Sequence, residues 1–170
     1  MIEGLRSRTD SKIEYALIHL EQLSGWNPSS PHAIAHEESC LFHVVGAKDA
    51  FLLEINQAYG LGLPESQVNE SQLAVALAKA GRTSEALTEI LRLRDDEESW
   101  LALAIRLRNY GTHRGHVARL YHVGGERSGQ VYYHDPRTGR PIEMDIPEFL
   151  RTTIEEMRRV IDYLRGTLPT

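Results

Sequence analysis

Arginine and histidine side chains are concentrated in one short stretch of the chain, residues 106–116. The stretch lies in a longer segment, residues 99–125, that contains no aspartate or glutamate. Arginine presents a planar fork of donors that suits phosphate, and histidine titrates near neutral pH, so that it can move a proton. The pattern predicts a site for an anionic ligand. Its candidate residues are Arg106, Arg108, Asn109, His113, Arg114, His116 and, just beyond, Arg119.

The overall charge does not by itself favour a polyanionic partner. The chain has 19 lysines and arginines against 24 aspartates and glutamates, a net charge of −5. A protein with this balance attracts nucleic acid only where its cations are gathered locally. A second interpretation therefore stays open, in which acidic residues on other helices neutralise the basic stretch in the folded chain.

A second group of residues could bind a metal ion. His32, His36, Cys40 and His43 are spaced at i, i+4, i+8 and i+11, so a continuous helix would place them on one face. Imidazole and thiolate are suitable ligands for zinc and similar ions. The same stripe is more typical of a half-buried packing face, because buried histidine and cysteine are more often structural than metal-binding.

Capping residues, glycines and prolines predict the elements that hold these candidates. Ser11 with Glu14 resembles a capping box and predicts the start of the first helix, which ends at Ser24-Gly25. Ser30-Pro31 is typical of a helix start and opens a long helix, and Gly111 is a predicted stop. Later helix starts are predicted at Asn69, at Thr83 or Ser84, at Asp95 with Glu98, and at Asp145 with Glu148. The predicted helices cover about 12–23, 31–58, 73–80, 84–93, 99–110 and 146–164.

Residues 117–123 and 130–134 are rich in residues that favour β-structure, and glycines separate them. This pattern predicts a hairpin, with a third short strand at 141–144 after the turn at 135–139. The predicted fold is mainly α-helical. It is a single domain over residues 1–170, a bundle of five to six helices with a small β-hairpin or meander inserted at about 117–144, before the C-terminal helix.

Arg108 and Asn109, followed by three residues and then His113, match the R-x4-6-H signature of the HEPN family (higher eukaryotes and prokaryotes nucleotide-binding). The chain resembles that family also in its helical architecture and in the late position of the motif. The resemblance implies metal-independent RNA cleavage at a homodimer cleft, with Arg108, Asn109 and His113 as the catalytic site and no cofactor. Some family members act as toxins with a nucleotidyltransferase-type antitoxin, so such a partner is also implied. Arg106, Arg114, His116 and Arg119 are supporting RNA-binding candidates that the motif does not cover.

Two alternatives to an RNA-cleaving protein stay open. Arg108 could pair with an acidic residue while His113 stabilises the end of its helix, which would make the chain a noncatalytic homodimeric module. The other alternative is a metal-binding bundle that uses the His32, His36, Cys40 and His43 stripe. The single cysteine and the lack of any long apolar run lead us to expect a cytoplasmic protein without a membrane segment.

Overall fold

Two long antiparallel helices form the largest contact of the fold. The computed structural model describes residues 2–25 and 27–169. Helix α1 spans Ile2–Glu21 and α2 spans Pro31–Ala58. The direction of the pair follows from its contacts, which join Thr9 to Glu54, Ala16 to Cys40 and His19 to His36.

Four further helices complete the helical part, and side-chain caps mark where each begins. Ser84 and Ser99 precede α4 and α5, and each hydroxyl accepts a hydrogen bond from the backbone N–H three residues on. Asn69 and Asp145 do the same for α3 and α6. The helices are α3 Glu70–Lys79, α4 Glu85–Asp95, α5 Trp100–His113 and α6 Ile146–Arg165, with a short 3-10 helix at Glu65–Gln67.

Three predicted helix termini were wrong. The capping box of Asp95 with Glu98 does not form, because Asp95 is the last residue of α4 and the Ser99 hydroxyl caps α5 instead. Helix α1 already begins at Ile2 and does not start at Ser11, because its first turns pack on α2, where Thr9 is buried and donates to Glu54. Helix α5 continues through Gly111 to His113. Gly111 does not adopt the positive φ that is typical of a glycine at a helix C-terminus, so the helix continues through it.

A small antiparallel sheet precedes the last helix, as predicted. Its strands β1 Arg119–Tyr121, β2 Val131–His134 and β3 Pro141–Asp145 lie in the order β1-β2-β3. Arg119 pairs with Tyr133 in the first ladder. The chain is thus mainly α-helical, with a three-stranded insertion in the predicted place.

The core lies where α2, α5 and α6 meet, and the sheet covers one end of it. Phe51 and Leu52 of α2, Leu107 of α5 and Leu150 of α6 are almost fully buried. Tyr133 of β2 reaches the same core. Burial of this apolar surface fixes the buried side of α5 and leaves its other side for polar residues. No helix among the described residues is long and apolar enough to cross a membrane.

Replacement of Ser99 by alanine tests what positions α5. The Ser99 hydroxyl accepts from the Ala102 N–H at 3.0 Å and donates to the Leu93 carbonyl, so it joins α5 to the end of α4. We expect Ser99→Ala to lower the free energy of unfolding by about 1–2 kcal/mol, measured by urea denaturation. Ser39→Ala is the matched control, because this hydroxyl bonds only a carbonyl of its own helix. Equal losses of unfolding free energy in Ser99→Ala and Ser39→Ala would contradict the capping role of Ser99.

Candidate functional site

An open pocket of about 520 Å³ lies beside the C-terminal half of α5. Helix α5 supplies one wall and the turn after β2 supplies the other. In the part of the chain that the structure describes, none of the residues that line this pocket is an aspartate or a glutamate. We call it the basic pocket, and it is lined by Arg106, Asn109, Tyr110, His113, Arg114, Pro136 and Arg137.

Helical spacing explains why three of the predicted residues meet in the basic pocket. Arg106, Asn109 and His113 stand at i, i+3 and i+7 and therefore share one side of α5. Arg114 follows as the C-terminal cap residue of the helix. His116 does not line the pocket, and its exposed imidazole lies 4.0 Å from the Glu38 carboxylate.

Acidic residues fix two of the arginines in the basic pocket. The Arg106 guanidinium donates two hydrogen bonds of 3.2 Å to the Asp135 carboxylate and a third, of 3.0 Å, to the Glu97 carbonyl. Arg137 forms ion pairs with Glu97 and Glu98. The interpretation that acids elsewhere in the fold neutralise cations thus holds for Arg106.

His113 and Arg114 differ from those two arginines. Both are exposed, and within residues 2–25 and 27–169 neither forms an ion pair. Their position at the C-terminal end of α5 favours positive charge, because the helix dipole is negative there. The basic pocket therefore offers two accessible cationic or protonatable groups beside two arginines whose orientation is already set.

Arg108 lies on a different side of α5 from His113. Residues five positions apart on a helix are about 140° from each other, and α5 stays helical through Gly111. Arg108 lines a separate pocket of about 60 Å³ with Thr112 and Tyr133. Its Nε is buried and has no hydrogen-bond partner among the described residues. The motif residues Asn109 and His113 thus share the basic pocket, and Arg108 does not join them within one protomer.

Arg119, a supporting RNA-binding candidate by sequence, keeps only 9% of its side chain exposed. Its Nη2 lies 2.7 Å from Glu37 Oε2, and the Tyr133 hydroxyl donates to the same oxygen at 3.0 Å. Burial raises the pKa of Glu37 to about 7, although the Arg119 charge and the Tyr133 hydrogen bond both favour the carboxylate. Burial likewise raises the pKa of Tyr133. These three side chains join the sheet to α2. Arg119 thus stabilises this internal contact and does not reach the basic pocket.

The predicted metal-binding stripe on α2 is not assembled as four ligands. Cys40 is fully buried and donates to the Ala16 carbonyl at 3.3 Å, and burial raises the pKa of its thiol to about 12. A thiol with this pKa does not supply the thiolate that a metal needs. Across the described part of the chain, no three histidine, cysteine, aspartate or glutamate residues are grouped to hold a metal ion. His36 and His43 instead lie beside His19 of α1.

Sequence reasoning missed Arg137 and Pro136 as lining residues of the basic pocket, and Asp135 as the partner of Arg106. They belong to a turn that the sequence marked only as Asp-Pro-Arg-Thr-Gly, typical of any surface connection. Asp135 is 29 residues from Arg106, and no local pattern links the two. Only the packing of the sheet against α5 brings them together.

The comparisons with known proteins give a family and no activity. A family model described as "Family of unknown function (DUF6586)" matches residues 1–169. The chain belongs to this family. No curated protein matches the chain significantly, and no solved structure does. The chemistry of this member must therefore be argued from its own residues.

A double-mutant cycle tests the buried Glu37–Arg119 pair. Arg119→Met leaves a buried carboxyl without its cation, and we expect a loss of about 3 kcal/mol in the free energy of unfolding. Glu37→Met leaves a buried guanidinium and should cost a similar amount. The free energy of unfolding of the double variant should fall by clearly less than the sum of the two single losses, because two apolar side chains can replace a buried ion pair. Additive losses in urea denaturation would show that the two charges do not interact.

Proposed function

We propose that this protein binds RNA through the basic pocket. The observation that supports the proposal is the gathering of Arg106, His113, Arg114 and Arg137 around one open pocket whose described lining lacks carboxylates. Phosphate contacts dominate the affinity of proteins for nucleic acid, and arginine supplies paired donors for phosphate oxygens. The overall negative charge of the chain would confine the polyanion to this region.

The three arginines and His113 contribute to the proposed complex in two different ways. Arg106 and Arg137 are held by carboxylates, so they form a fixed rim without the entropy cost of ordering on binding. Arg114 and His113 are exposed and would contact phosphate directly. Asn109 adds an amide that can donate or accept a hydrogen bond. We expect single-stranded RNA as the ligand, because a flexible strand can place its phosphates against arginines whose positions are fixed.

Arg114→Ala tests the binding proposal. We expect it to weaken affinity for a labelled single-stranded RNA several-fold and to lower the salt dependence by about one counterion, because one phosphate contact is lost. Fluorescence anisotropy at several salt concentrations measures both. Arg151→Ala is the control, since Arg151 is also exposed but lies on α6 outside the basic pocket. Equal weakening by the two variants would show that the RNA has no defined site.

We propose metal-independent RNA cleavage as a second candidate function, and the specific support is that His113 lies in the basic pocket with Asn109. A histidine beside a bound phosphate can take the 2′-hydroxyl proton or protonate the leaving oxygen. The resemblance to HEPN proteins adds a homodimer in which two copies of the motif face each other. Asn109 and His113 are exposed at the end of α5, so a second copy has access to them. In the proposed dimer, Arg108 would offset charge on the phosphate of the shared cleft.

His113→Ala separates cleavage from binding. We expect the variant to lose cleavage of RNA while it keeps most of its affinity, and we expect EDTA to leave wild-type cleavage unchanged. Gel analysis of RNA fragments measures cleavage, and anisotropy measures binding. His122→Ala serves as the control, because this imidazole packs against Tyr132 in the sheet. Undiminished cleavage in His113→Ala would end the catalytic assignment, and binding without cleavage by the wild type would identify a noncatalytic RNA-binding module.

A further inference from the structure

Three histidines from α1 and α2 form a cluster that the proposed RNA site does not use. His19 of α1 lies between His36 and His43 of α2, with ring centroids 5.2 and 5.5 Å away. The Nδ1 atoms of His19 and His36 are joined by a hydrogen bond of 2.9 Å, in which one imidazole donates its Nδ1–H to the other. All three side chains are only partly buried, so solvent reaches the cluster.

We propose that His19 and His36 form a two-imidazole chelate for a divalent transition-metal ion. Zinc and copper bind imidazole nitrogen at about 2.0–2.1 Å, so two such ligands 90–110° apart are separated by about 2.9–3.4 Å. The observed separation of 2.9 Å lies within this range. An ion that binds both Nδ1 atoms replaces this hydrogen bond. The donor imidazole moves its proton to Nε2, both rings tilt so that their lone pairs converge on the ion, and water completes the coordination on the exposed side.

The packing of α1 on α2 holds the two ligands in place. One turn below the pair, Cys40 donates to the Ala16 carbonyl, and both residues are fully buried. The His43 ring stacks on His19 with an angle of 12° between the planes, and Tyr15 packs edge-on against His43 at 5.3 Å. These contacts limit rotation of the His19 ring, and an oriented ligand loses less entropy when a metal binds.

The donor set determines which ions fit. Two neutral imidazoles favour copper, zinc and nickel over magnesium and calcium, which prefer oxygen. Among the divalent ions, copper should bind most tightly and zinc more weakly, following the usual order for nitrogen ligands. Lys12, whose ammonium lies over the Phe42 ring, places positive charge near His43. We therefore expect an exchangeable site and not a permanently loaded one.

Isothermal titration of the full chain with copper, zinc and magnesium chlorides tests this proposal. We expect one copper and one zinc ion per chain and no magnesium, with affinity lowered about tenfold or more in His19→Gln and in His36→Gln. His122→Gln is the matched control and should bind as the wild type does. Circular dichroism confirms that each variant is folded, and metal should raise the melting temperature of the wild type only when both ligands are present.

The spectrum of bound copper gives an independent test. If the histidines had only a structural role, their replacement would not change the number of nitrogen atoms that coordinate the copper. Electron paramagnetic resonance should show coupling to two imidazole nitrogens in the wild type and to fewer in His19→Gln. Equal metal affinity in the wild type and the His19→Gln/His36→Gln variant would overturn the proposal. A loss of the same size in His122→Gln would do so too. RNA affinity is measured separately, because none of these residues lines the basic pocket.

Discussion

The buried contact between Arg119, Glu37 and Tyr133 is the constraint on which the rest of the site depends. It joins the first two strands to α2 through a charged pair and a shared oxygen of the buried Glu37 carboxylate. Asp135 follows Tyr133 by two residues, so the same contact sets where the turn after β2 lies against α5. The wall of the basic pocket that carries Arg137 thus depends on a buried ion pair outside the pocket. Such a pair contributes little net stability but is costly to break, which makes the position of the sheet specific.

The arginines and histidines that the sequence concentrates near the end of α5 have different environments in the folded chain. Arg119 is neutralised in the interior, and Arg106 and Arg137 are held at the rim by carboxylates. Among the described residues that line the basic pocket, the exposed His113 and Arg114 form no ion pair. The basic pocket therefore attracts an anion less strongly than the number of arginines and histidines in the sequence suggests. The binding energy for RNA would come from a few well-oriented contacts, with long-range attraction limited by the acidic remainder of the chain.

Much of the fold could be predicted because its signals are local. The caps at Asn69, Ser84 and Asp145 start helices through hydrogen bonds that span only three residues, and the three-residue and four-residue spacing on α5 defines its polar side. The start of α1 was missed because packing of Thr9 against Glu54 outweighed a local capping pattern. Of the predicted RNA site, the structure brings Arg106, Asn109, His113 and Arg114 together. The catalytic role of Arg108, Asn109 and His113 stays a prediction.

The sequence by itself determined that the chain is mainly helical, where the small sheet is inserted, and which residues share a side of α5, since helical periodicity and capping act within a few residues. Only the tertiary structure decided the state of each charge. Asp135 meets Arg106, and Glu37 meets Arg119, across 29 and 82 positions of the chain. His19 likewise meets His36 only because α1 packs on α2. The charge and the ligand chemistry of a side chain depend on the groups opposite it and on its exposure to water, and both are set by packing between distant segments.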